Sequence, residues 1–120
     1  MSNYNKENIE HWHYALYAAY KHQEEGQLEE AYSLLRKIYE KNEFHYDKDI
    51  HGSYETYVIE KVTFLKELAK LSMDVTKKPQ CSIPYLDEAL IMLDSYESVH
   101  PYINPKEVKA LKDNYISQIK

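Results

Sequence analysis

Apolar side chains return every three or four residues along most of this chain, the spacing of helices that each bury one face. The first such segment covers about residues 6–25, where Ile9, Trp12, Leu16, Ala19 and Tyr20 share one side. Tyr14, Tyr17 and Ala18 make its other side apolar or aromatic as well. Gly26 follows, in the place where a left-handed residue stops a helix. A second helix, about 27–40, carries Leu28, Ala31, Tyr32, Leu35, Ile38 and Tyr39 in one stripe. The polar stretch 42–52 reads as a loop.

The pattern predicts a long third helix over about 53–77. Its inner face is Tyr54, Val58, Val62, Leu65, Leu68, Ala69 and Ser72, widened by Phe64, Leu71 and Val75. Glu60, Thr63, Glu67, Lys70 and Asp74 form the wet stripe opposite. Pro79 and Pro84 read as the brackets of a short break, and a fourth helix runs over about 84–97 with Leu86, Ala89, Leu90 and Leu93 inward. The fifth helix, about 105–119, has the clearest start. Asn104, Pro105 and Glu107 supply a capping side chain, a proline in the first helical position and an acid near the positive helix end. Val108, Leu111, Tyr115 and Ile119 repeat behind it.

The second and fourth helices repeat one another. The run from Leu28 to Leu35 (LEEAYSLL) aligns with the run from Leu86 to Leu93 (LDEALIML) at an offset of 58 residues. A small alanine lets one helix approach its neighbour closely, and a leucine four residues on packs on the same face. With Gly26, Glu29, Glu30, Ala31 and Leu35 in the first unit, and Asp87, Glu88, Ala89, Leu93 and Pro101 in the second, the chain resembles the tetratricopeptide repeat (TPR) family. Leu16 and Tyr20 fit that family's first-helix positions if two residues are inserted before Gly26. Glu43 stands where a proline should close the first unit, and the second unit has no turn glycine. The resemblance covers about residues 8–101 and implies an all-α domain over 1–120. That domain would hold two antiparallel helical hairpins, about 7–41 and 53–101, and a capping helix over about 105–119. It also implies a groove lined mainly by the first helix of each pair.

Composition narrows the function classes. The chain has 120 residues and a net charge of −5, and its only arginine is Arg36, which argues against nucleic-acid recognition. No run reaches the roughly 20 apolar residues that span a bilayer. The N-terminal stretch lacks the layout of a signal peptide. One cysteine, Cys81, precludes an intramolecular disulfide and suits a reducing compartment. Cytoplasmic location is therefore expected, with neither nucleic acid nor membrane as partner.

Catalytic and cofactor signals are weak. Two glycines cannot build a phosphate-binding loop, and Cys81 lies between two prolines without a nucleophile signature. The stretch from His45 to His51 places His45, Asp47, Asp49 and His51 at alternating positions, a donor set for zinc or nickel if the segment is extended. An ordinary polar loop explains the same residues, so neither an enzyme nor a cofactor is expected.

The thirteen tyrosines are the unusual feature, because tyrosine combines a large apolar body with a polar tip. On helix one, Tyr14, Tyr17 and the adjacent Lys21 have two readings. They are sandwiched by the third and fifth helices, or they bind a protein or peptide, a second copy of this chain included. The expectation is a non-catalytic binding module with its groove near helices one and three. An immunity protein or antitoxin with an acidic surface is the alternative, and metal binding through the 45–51 loop is the other.

Overall fold

The structure, a computed structural model, describes residues 12–41, 44, 46 and 48–119, with the backbone alone at helical positions 12–14 and 50. Ile9, Glu43, His45 and Asp47 lie outside the described residues, as do the side chains of Trp12 and Tyr14. The protein is all-α. Among the described residues five helices carry the fold: α1 (Trp12–Glu24), α2 (Leu28–Lys41), α3 (Tyr54–Thr76), α4 (Pro79–Ser95) and α5 (Pro105–Ser117). A single helical turn, Lys48–His51, precedes α3, and a 3-10 turn, Glu97–Val99, follows α4. Among the described residues there is no strand. The chain divides into two compact units, Met1–His45 and Tyr46–Lys120.

In the first unit α1 packs on α2. Ala15 and Ala19 on α1 and Ala31 on α2 are all fully buried, so the hairpin closes on small side chains, flanked by Leu16, Leu35 and Ile38. Gly26 takes the expected left-handed conformation, φ 77°. The N–H of Gln27 reaches the His22 carbonyl at 2.7 Å and that of Gly26 reaches Gln23 at 3.0 Å, the paired bonds of a Schellman closure. Where that motif usually adds an apolar contact, the His22 ring instead bonds the Gln27 amide oxygen at 2.6 Å.

In the second unit α4 packs against both α3 and α5. Helix α3 begins where Ser53 caps it, its hydroxyl accepting from the Thr56 N–H at 3.2 Å. It ends at Lys77, left-handed at φ 58°, whose N–H reaches the Met73 carbonyl at 3.0 Å. The core is Val58, Val62, Phe64, Leu65, Leu68, Leu71, Leu86 and Leu93, with Val99 and Val108 brought in by the 3-10 turn and α5. Asn104 caps α5 as expected, its side-chain oxygen accepting from the Lys106 N–H at 2.8 Å.

Three local expectations are corrected. Pro79 and Pro84 do not bracket a break: α4 starts at Pro79 and runs through Pro84. Pro79 and Ser82 are buried, and the Ser82 hydroxyl donates to the Ala69 carbonyl of α3 at 2.7 Å, so tertiary contacts hold the turn that Pro84 weakens. On α3, Tyr54, expected on the inner face, is 41% exposed, and Tyr57 is buried instead. Glu60 and Glu67 are half-buried, not wet, because the Lys48–His51 turn covers the first and the phenol of Tyr115 on α5 lies close enough to the second to feel its charge.

Candidate functional site

Two side-chain groups stand out, one in each unit. On α1, Ala15, Leu16 and Ala19 point inward and fix how the helix is rotated about its axis. That rotation leaves Tyr17 62% exposed, with Lys21 exposed one turn further along the same face. Position 14 lies on the same helix three residues before Tyr17, and its side chain is outside the described residues. Ala18 is half-buried and Tyr20 likewise.

The second group was not legible as a cluster in the sequence. Tyr46, His51, Tyr54, Tyr57 and Tyr96 converge at the start of α3 and the end of α4. The His51 ring stacks on Tyr46 (centroids 5.9 Å apart, planes at 26°) and meets Tyr57 edge-on at 5.4 Å. Its side chain has no exposed surface, and Nε2 lies 3.2 Å from a carboxylate oxygen of Glu60. Tyr54 packs on Tyr57 at 5.1 Å and on Tyr96 at 5.3 Å. The hydroxyl groups of Tyr54 and Tyr96 share a hydrogen bond, their oxygens 3.2 Å apart. That bond, with partial burial, pushes the Tyr54 phenol up to about 12. Burial, with the neighbouring Tyr96, raises Tyr57 as well. On α5, Tyr115 is raised first by burial and then by the carboxylates of Asp74 and Glu67 on α3.

This geometry changes the metal reading. The alternating donor set needs an extended 45–51 segment, but Lys48–His51 is a helical turn. Asp49 is exposed while His51 turns inward against Glu60, so the two do not face one point. Among the described residues, no group of three or more histidine, cysteine or acidic side chains is placed to hold a metal ion. Cys81 is exposed in the first turn of α4. A shallow hollow of about 350 Å³ is lined by Leu90, Ile91, Asp94, His100 and Pro105, and Ile91 is 70% exposed at it. The His100 ring is held by the Leu93 carbonyl at 2.8 Å. No described helix is long and apolar enough to cross a membrane.

A sequence signal existed for two of the five members of the aromatic cluster. Tyr54 and Tyr57 are three residues apart and must be neighbours on a helix. Tyr96 joins from 42 residues away, and nothing local points to it. No family model, no curated protein and no solved structure matches this chain.

Proposed function

We propose that the protein is a non-catalytic, TPR-like helical module that binds a protein or peptide segment, with the outer face of α1 as the contact surface. The observation that carries this reading is Tyr17, a large aromatic left 62% exposed on a helix whose opposite side is locked by alanine and leucine. Tyrosine gives large contact area for little lost side-chain freedom and is enriched at interfaces. Lys21, one turn away, adds a cation on a flexible stem, which suits a partner segment carrying an acidic residue beside an apolar one. The lone thiol of Cys81 fits a reducing compartment, and we place the protein in the cytoplasm.

The test is a displayed-peptide selection on the immobilised full chain, followed by anisotropy titration of the enriched sequences. Tyr17→Ala should weaken binding about tenfold or more, the usual cost of removing a central aromatic anchor. Tyr14→Ala should act in the same direction, and Lys21→Glu should select against acidic peptides. Far-UV circular dichroism should be unchanged in all of these variants. Enriched peptides whose affinity ignores Tyr17 and Lys21 would place the contact surface elsewhere. Sedimentation of the unliganded chain separates the case in which the partner is a second copy.

A further inference from the structure

We propose that Tyr54 and Tyr96 form an oxidative modification site, at which one-electron oxidation joins the two rings as dityrosine and ties the start of α3 to the end of α4. The pair is independent of the α1 surface and is built by packing. The rings sit 5.3 Å apart at 49°, and their hydroxyl oxygens lie 3.2 Å apart. The reactive carbons of a phenoxyl radical flank its oxygen, so bonded hydroxyls bring one such carbon of each ring alongside the other. Tyr54 is 41% exposed and Tyr96 half-buried, which gives an oxidant a route to the pair. Tyr57 also packs on Tyr54, but it is 6% exposed and lies on the same helix.

The chemistry balances with an oxidant of the peroxidase and hydrogen peroxide class. Each phenol gives up one electron and its hydroxyl proton. The two radicals form one carbon–carbon bond between carbons adjacent to the oxygens. Each of those carbons then sheds its hydrogen as a proton, and each oxygen regains one. In sum, two carbon–hydrogen bonds become one carbon–carbon bond, two electrons and two protons depart, and one peroxide becomes two waters.

The test treats the full chain, dilute and folded, with a peroxidase and hydrogen peroxide. The product should migrate as a monomer, weigh two hydrogens less, show dityrosine fluorescence, and give fragment ions that join Tyr54 to Tyr96. Tyr54→Phe and Tyr96→Phe, each checked for helicity, should lose the fluorescence. Tyr102→Phe, which removes a tyrosine 76% exposed, should keep it. In urea the 54–96 linkage should vanish from the wild-type map. A map dominated by other tyrosines, a product found only as cross-linked dimers, or a linkage that persists in urea would overturn the proposal without relying on any variant.

Discussion

Replacing Pro84 with alanine decides between two courses of the chain that differ by one turn and a half of helix. In the structure Pro84 is the sixth residue of α4, behind Pro79 in the first position. A proline there lacks the N–H that would bond the carbonyl of Gln80, and its ring crowds that carbonyl. A fully interior proline costs about 3 kcal/mol. Gln80 is exposed, so water satisfies part of what the missing bond leaves open. Removing proline also frees the unfolded chain, which returns about 0.4–1 kcal/mol against the variant. The balance is a gain on the order of 1–2 kcal/mol for Pro84→Ala. Had the helix started at Pro84, that residue would occupy the favoured first position, and alanine would be neutral or destabilising. Urea unfolding followed by far-UV circular dichroism reads the sign directly, provided the slope of the transition is unchanged. A variant less stable than the parent would refute a helix running through Pro84.

Other substitutions probe the remaining signals. Lys77→Gly should raise stability by about 1 kcal/mol because Lys77 is left-handed at φ 58°, whereas Lys70→Gly, inside the exposed face of α3, should cost about 1 kcal/mol. The same chemical change with opposite signs, read in one set of urea curves, isolates the backbone term. Asn104→Ala should cost about 1 kcal/mol through loss of the α5 cap, and Asn104→Asp should retain most of it. Phe64→Ala, at a fully buried site, should cost about 3–5 kcal/mol and broaden or abolish the cooperative transition. The phenols of Tyr54, Tyr57 and Tyr115 are raised on folding, so the stability they contribute is whole below their ordinary value of about 10 and is lost as pH rises through their folded values, about 12 for Tyr54. Tyrosinate absorbance should therefore show a late-ionising class that disappears in urea; a single class at the ordinary value would contradict the packing of this cluster.

Where a feature depends on residues within a turn or two of each other, it was readable in the chain. Gly26, Asn104 and Pro105 mark helix ends through interactions with backbone groups only a few positions away. The spacing of Leu35 and Ile38, or of Val58, Val62, Leu65 and Leu68, identified buried faces because side chains three and four apart must share a side. For the same reason Tyr17 and Lys21 could be placed together on α1 before any coordinates.

Tertiary structure alone decided the rest. Helix α4 extends to Pro79 because Ser82 finds the Ala69 carbonyl, a contact thirteen residues away that outweighs a local breaker. His51 leaves the polar loop for the core because Tyr46, Tyr57 and Glu60 enclose it. Tyr57, and not the expected Tyr54, is buried because Tyr57 lies beneath that turn while Tyr54 meets Tyr96. The sequence by itself determined most helix ends and most of the buried positions, since backbone capping and helical periodicity act over a few residues. Which tyrosines meet was set by how α3 and α4 pack, because contacts between helices depend on side chains that no local spacing relates.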